Sequence, residues 1–169
     1  MSFANDKERG KLGERKALEI LSKTVGVIRV DDVSETEKYQ EKDIDFIVYT
    51  EKNDKLKIYN VEAKTDWAAG QYGNFFIENK TTYTKDIDEE KKKGMQKQGW
   101  LHYSEADYFF IYVPAHKKMY TFKNKEIKDY IKNWHPRRRD CKDSYKDVEG
   151  YLVPIADFLK RQNVITIEI

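Results

Sequence analysis

Lys42-Asp43-Ile44-Asp45-Phe46-Ile47-Val48 and Asn60-Val61-Glu62-Ala63-Lys64 are the two stretches on which the fold of this chain turns. In both, a few charges interrupt β-branched and aromatic residues, the composition of strands rather than loops. The full runs, Ile44 to Thr50 and Leu56 to Lys64, are joined by the polar Glu51-Lys52-Asn53-Asp54-Lys55, a connection of hairpin length. They read as adjacent antiparallel strands. The two-residue strand period puts Glu62 and Lys64 on one face, and hairpin pairing brings the Asp45 carboxylate within reach of Glu62. Two hard oxygen ligands, completed by a backbone carbonyl and waters, suit Mg²⁺, and the lysine then sits beside the metal. The bland alternative is an ion-pair ladder on an exposed hairpin, worth less than about 1 kcal/mol. Against it, Ile44, Phe46, Val48, Tyr59, Val61 and Ala63 fill the alternate face, while Ile47 and Ile58 share the charged one. A sheet covered on both sides is expected, where charges need partners or a metal.

Glu-x-Lys is common here, starting at Glu14, Glu62, Glu78, Glu89, Glu90 and Glu126, so the tripeptide alone carries no signal. Four of these fall in expected helices, where residues two apart face different sides. Of the two in strands, Glu62 follows the strand-embedded Asp45 by 17 residues, whereas Glu78 has only Asp66 upstream, outside an evident strand. Glu62 is therefore preferred, and Glu78 is kept as an additional site residue, either a ligand, a substrate contact or an edge charge.

Outward from the hairpin, Asn5 to Lys23 reads as a helix with an apolar stripe of Leu12, Leu18, Ile20 and Leu21, and Gly10 and Gly13 each weaken it by about 1 kcal/mol. Val25 to Val30 is a short strand and Asp31 to Lys42 a loop. Gly73 to Glu78 is a further strand, Lys85 to Lys97 a solvated helix docked by Trp100, Leu101 and Tyr103, and Tyr108 to Val113 a buried central strand. Met119 to Phe122 pairs with it across Ala115 to Lys118. Helices follow over Glu126 to Trp134 and Pro154 to Arg161, then a strand over Val164 to Ile169. This order predicts an α/β fold with a sheet flanked by helices.

At 169 residues, with 39% hydrophobic and 37% charged residues, the chain fits one domain able to bury a core, helped by three Trp, twelve Tyr and eight Phe. No apolar run reaches membrane-spanning length and no signal-peptide core opens the sequence, so a cytoplasmic protein without membrane partners is expected. One cysteine, Cys141, and three scattered histidines exclude disulfide frameworks and cysteine-based zinc sites. The net charge of +2 hides an asymmetry. Nine acidic residues face three lysines between Asp31 and Asp54, and ten Lys and Arg face three acidic residues between Lys117 and Lys142. An acidic cluster for cations and a basic segment for phosphates is what metal-dependent chemistry on nucleic acid requires. Lys117, Lys118, Arg137, Arg138 and Arg139 are the candidate phosphate contacts, the arginines in a solvated turn. Trp67 and Tyr72, flanking Gly70, are packing residues or a stacking surface for a base.

Asp43-Ile44-Asp45-Phe46, Val61-Glu62-Ala63-Lys64, the helix bearing Gly13-Glu14-Arg15-Lys16-Ala17 and the later apolar strand together resemble the PD-(D/E)XK nuclease superfamily, which includes archaeal Holliday junction resolvases and many restriction endonucleases. The resemblance covers about residues 9 to 113, and Ile44 stands where the family name has proline. It implies a restriction endonuclease-like αβββαβ core with a mixed central sheet flanked by helices, and leaves about 114 to 169 as a basic C-terminal α/β extension of a single domain. It also implies that Asp45 and Glu62 hold Mg²⁺ or Mn²⁺ with the Ala63 carbonyl as third ligand, that Lys64 positions the nucleophilic water, and that Glu14 supports the site. The expected activity is metal-dependent endonucleolytic hydrolysis of DNA, including junction or branched DNA, with RNA an open alternative substrate. A homodimer would suit cutting of both strands. A noncatalytic nucleic-acid-binding or protein-interaction module on the same fold is the competing reading.

Overall fold

The computed structural model describes residues 3–87, 91–142 and 145–169, with side chains from residue 10 onward. Six strands form the central sheet: β1 (Val27–Asp32), β2 (Phe46–Lys52), β3 (Lys55–Thr65), β6 (Tyr108–Val113), β7 (Lys118–Lys123) and β10 (Ile165–Glu168), in that spatial order. A second sheet holds β5 (Gln96–Gln98), β4 (Asn74–Tyr83), β9 (Lys146–Pro154) and β8 (Arg138–Lys142), again in spatial order. The expected hairpin is present, with Phe46 opposite Val61 and Lys52 opposite Lys55. Only β3 and β6 run parallel, so the sheet is mixed as expected.

The two faces of the central sheet are covered differently. On one lies α1 (Phe3–Lys23), whose Ala17 and Leu21 pack on Phe46, Val48, Val61, Ala63, Phe110 and Tyr112. On the other, Phe109, Ile111, Tyr120 and Phe122 meet Phe75, Ile77 and Val153 of the second sheet. Trp100 and Leu101 of α4 (Trp100–Tyr103), Ile127 and Tyr130 of α5 (Asn124–Trp134), and Ile155 and Phe158 of α6 (Ile155–Arg161) complete that layer. The cover on this side is therefore part sheet and part helix. Aromatic edge contacts bind it: the Phe122 and Phe158 ring centroids are 5.0 Å apart and the Tyr130 and Phe158 centroids 5.2 Å.

The crossover between the parallel strands departs most from expectation. In place of a helix over Lys85 to Lys97, the chain leaves β3 through the one-turn helix α3 (Ala69–Tyr72), runs along β4, turns back into β5 and passes through α4. The described residues of that span are non-helical; Glu89 and Glu90 lie outside the described residues. Gly94, in the left-handed region at φ 84°, and the reciprocal bonds between Tyr83 and the Gly94–Met95 turn make this a hairpin. Its lysine-rich composition marked exposure, which an edge hairpin satisfies as well as a helix does. Trp100 and Leu101 dock on the core themselves, and Tyr103 stays exposed.

Residues beyond 113 are woven into both sheets: β7 and β10 extend the central one, while β9 pairs with β4 and β8 pairs with β9 at the edge. Arg138 and Arg139 accordingly lie in an edge strand, not in a turn. The far end of the β2–β3 hairpin carries exposed Leu56 and Ile58, so the expected two-sided cover holds only at its base. Within the expected loop Asp31 to Lys42, one turn of helix, α2 (Glu37–Gln40), forms. No helix among the described residues is long and apolar enough to cross a membrane.

Candidate active site

Register explains why charges gather at the base of the hairpin. Parallel pairing sets Glu62 beside Phe109 and Lys64 beside Ile111. On β6 those positions feed the inter-sheet core; on β3 they hold an acid and a base, because there the second layer thins to Trp100. Lys64 Nζ lies 5.3 Å from the Trp100 ring centroid, a cation–π distance. It donates to Glu62 Oε1 at 2.7 Å and to Asp43 Oδ1 at 3.0 Å.

Asp45 sits just before β2, where its N–H donates to Val61 O at 2.9 Å and its Oδ2 accepts the Ala63 N–H at 2.8 Å. The predicted approach of Asp45 to the Glu62 strand is thus realised through the Ala63 backbone. A strand residue directs its N–H and C=O to the same side, so the Ala63 carbonyl also faces the Asp45 side of β3. Asp43 belongs to the same motif, and nothing in the sequence gives it a role. It ends the α2 turn at φ 57°, a conformation aspartate tolerates better than most residues. That twist turns its side chain inward: 10% exposed, it has one oxygen on Lys64 and the other, Oδ2, buried without a hydrogen-bond partner.

Glu14 reaches the cluster because α1 comes unusually close to β3. A Cβ on Gly13 would lie 2.6 Å from Thr65 Oγ1 and 2.8 Å from Lys64 O, so only glycine permits the contact. Thr65 Oγ1 accepts the Gly13 N–H at 2.8 Å and donates to Gly10 O at 3.1 Å, clamping the helix. The glycine that weakens the helix in isolation is what seats it.

One ammonium serves several acids. Burial pulls the Lys64 amine down, yet Glu62 and Asp43 outweigh burial and hold its pKa above the ordinary lysine value. Burial, with Asp43 and Asp45 adding repulsion, pushes the Glu62 carboxyl well above the usual carboxylate range despite its lysine. Asp45 is raised chiefly by burial, against the opposing Ala63 hydrogen bond and Lys64. Glu14 is raised by burial and then by Asp45, placing it in the same field. The Tyr103 hydroxyl, on the rim, is pushed up to about 12 by burial and by Asp43.

These carboxylates fit a divalent cation by donor chemistry: hard oxygens with a buried excess of negative charge. Asp45, Glu62 and the Ala63 carbonyl are the groups that would hold it, with the unpartnered Asp43 oxygen nearby. Among the described residues no three acidic, histidine or cysteine side chains converge on one point; Asp43 and Glu62 converge on Lys64 Nζ instead.

A cavity of about 540 Å³ opens beside Lys64, lined also by Trp67, Tyr72, Glu78, Trp100 and Arg139. A second, of about 620 Å³, shares Glu78 and Trp100 and adds Tyr103, Lys97 and Lys146. Glu78 therefore stands between two cavities at the edge of the cluster. The basic segment is dispersed. Lys118 pairs with Glu168 at 3.0 Å, two strands away from β3, and Lys117 occupies the preceding left-handed turn. Arg138 bonds the Tyr151 hydroxyl at 3.1 Å, Arg137 is exposed, and of the five candidate cations Arg139 is the one that lines the Lys64 cavity. Trp100 and Tyr103, expected only as docking residues, are neighbours of the site, and nothing in their spacing marks them as such. Comparison of the chain with family models, curated proteins and solved structures found no match.

Proposed function

We propose that this chain is a divalent-metal-dependent endonuclease that hydrolyses DNA phosphodiester bonds, built on a restriction endonuclease-like core. The observation that carries the reading is the junction of Asp45, Glu62 and Lys64 at the base of one hairpin, with Asp45 fastened to the Ala63 backbone. Supporting it, α1, the antiparallel β1–β2–β3 and the parallel β6 follow the αβββ…β order of such a core, with a hairpin where a helix was expected. Asp45, Glu62 and the Ala63 carbonyl would hold a Mg²⁺ or Mn²⁺ ion, which when bound would supply charge for the attacked phosphate and acidity for the attacking water. Lys64 keeps its proton, so it acts as a donor: its ammonium orients the water for in-line attack or neutralises a phosphate oxygen. Asp43 and Trp100 fix where that ammonium points. Glu14, held near Asp45 by the Gly13 contact, adds negative field and a hydrogen-bond acceptor at the site edge.

The test is cleavage of labelled single-stranded, duplex and four-way-junction DNA, and of RNA, with Mg²⁺, Mn²⁺ or EDTA, comparing wild type with Lys64→Ala. Metal-dependent cutting lost in the variant is expected. No cutting alongside tight metal-independent binding would replace the nuclease with a noncatalytic binding module.

A further inference from the structure

Trp67 and Tyr72 are large aromatic residues left 42% and 56% exposed on the wall of the Lys64 cavity. Their segment is nonetheless firmly fastened. Asp66 accepts the Ala69 N–H at 2.8 Å and the Phe76 N–H at 3.3 Å, while its own N–H donates to Tyr112 O at 2.9 Å. Asn74 Nδ2 donates to Tyr72 O at 2.6 Å, and Ile155 N donates to Gly73 O at 3.0 Å. Gly70 packs so tightly on Ala115 that a Cβ there would lie 2.3 Å from the alanine methyl. Exposed rings on a backbone pinned from both sides form a preorganised surface, which lowers the ordering cost of binding. Phe76 and Leu152 also line the cavity, giving it an apolar body. Cations mark two points on its wall: Lys64, and Arg139, whose guanidinium carbon is 5.9 Å from the Tyr72 ring centroid.

A concave site of this volume, apolar and aromatic with cations beside it, has the make-up of a nucleotide pocket. A paired base remains in its stack and cannot enter such a pocket; a base that is already unpaired enters at small cost. We infer that this cavity takes an unpaired nucleotide of the DNA strand, its base stacked on Trp67 and Tyr72 and a neighbouring phosphate on Arg139, adjacent to the phosphate presented at Lys64. The inference rests on the reading of the Lys64 cluster as a phosphodiesterase site, and it makes strands with unpaired nucleotides the preferred substrates over intact duplex.

The experiment is fluorescence anisotropy in EDTA with a labelled oligodeoxythymidine and with a duplex of the same length, using wild type, Trp67→Ala, Tyr72→Ala and Tyr72→Phe. Both positions are exposed, and far-ultraviolet circular dichroism confirms that the variants fold. Wild type binds the single strand at least tenfold more tightly than the duplex. Each alanine variant loses about 5- to 150-fold in single-strand affinity, the range for removing one base–aromatic stack, with little change on duplex, and Tyr72→Phe retains binding. Equal or tighter duplex binding, or unchanged single-strand affinity in both alanine variants, overturns the inference. Cleavage is scored separately with Lys64→Ala. Cutting that persists without Trp67 or Tyr72 dependence leaves the nuclease and removes the pocket, whereas Trp67-dependent strand binding without cutting removes the nuclease and leaves a strand-binding pocket.

Discussion

Two glycines in one helix are expected to respond oppositely to the same substitution. At Gly10, a Cβ would meet nothing within 4 Å. Alanine there gains about 0.8–1.0 kcal/mol of helix propensity and costs no contact. At Gly13 the same gain applies, but the new carbon would lie 2.6 Å from Thr65 Oγ1, 2.8 Å from Lys64 O and 2.9 Å from Lys64 C. Two of those atoms are strand backbone and cannot swing aside, so α1 must lift. Overpacking of this kind costs about 1–3 kcal/mol, and the Gly13 N–H to Thr65 Oγ1 bond, about 1 kcal/mol, is strained with it. Gly10→Ala is thus stabilising by about 1 kcal/mol and Gly13→Ala destabilising by about 1–2 kcal/mol after the propensity gain. At about 2–4 °C per kcal/mol for a domain of this size, the melting temperatures of the two variants differ by about 4–12 °C. Thermal unfolding by circular dichroism measures this directly. Lifting α1 also withdraws Glu14 from Asp45, so Gly13→Ala loses metal-dependent activity at temperatures where it is still folded. Shifts of the same sign in both variants would refute the close helix–strand contact and with it the route by which Glu14 joins the site.

Asp43→Asn tolerates the left-handed backbone yet removes a charged acceptor from Lys64, and the expected loss is at least about tenfold in cleavage rate, matching one charge-assisted hydrogen bond of about 1.5–3 kcal/mol. With less negative charge beside it, the Lys64 pKa falls toward the ordinary lysine value, so the alkaline limb of the pH–rate profile moves down in this variant. The raised carboxyls of Glu14, Asp45 and Glu62 mean the folded chain keeps protons that the unfolded chain would release. Their stabilising contribution is complete below the ordinary carboxylate range and is lost as pH rises through it toward the folded values. Urea unfolding across that window should show the decline, and Asp45→Asn, which keeps an oxygen for the Ala63 N–H, flattens it and raises stability near neutrality by about 1 kcal/mol. Mg²⁺ at about 100-fold its dissociation constant stabilises wild type by about 2.7 kcal/mol, seen as a higher melting temperature, whereas Asp45→Asn shows little of that gain.

How much could be read in advance depended on whether one residue pattern allowed one structure. The hairpin was legible because Val61 and Ala63 alternate with Glu62 and Lys64, and because Phe46 to Thr50 is a β-branched and aromatic run joined to them by a short polar connection. Lys85 to Lys97 had no apolar periodicity at all, so its charge density reported exposure without reporting geometry; Gly94 was the overlooked turn signal. Strand β9 was hidden by Asp147, Glu149 and Gly150, which break the hydrophobic run, although Val148 and Val153 are buried. In the candidate site, strand period put Glu62 and Lys64 on one face, and the strand-embedded Asp45 upstream singled them out from Glu78 and Lys80. The role of Asp43 did not, since it arises from a left-handed turn. Trp100 also escaped, because it arrives beside Lys64 through a crossover whose path no local pattern records.

The pairing of β4 with β9 has a consequence for the order in which the molecule is built. Asn79 donates its side-chain amide to Glu149, across 70 positions of chain. During synthesis, α1, β1, β2 and β3 emerge and can seat their acidic cluster long before β9 exists, leaving the edge of β4 without its principal partner. Contacts this distant in sequence form slowly, and an unpaired edge invites wrong pairing. Arg139, Cys141 and Leu152 come from this late-arriving segment, so this part of the cavity wall is made only after the strands of the acidic cluster. By the order of the chain, the carboxylates and the lysine are available before the residues of β8 and β9 that complete the cavity wall.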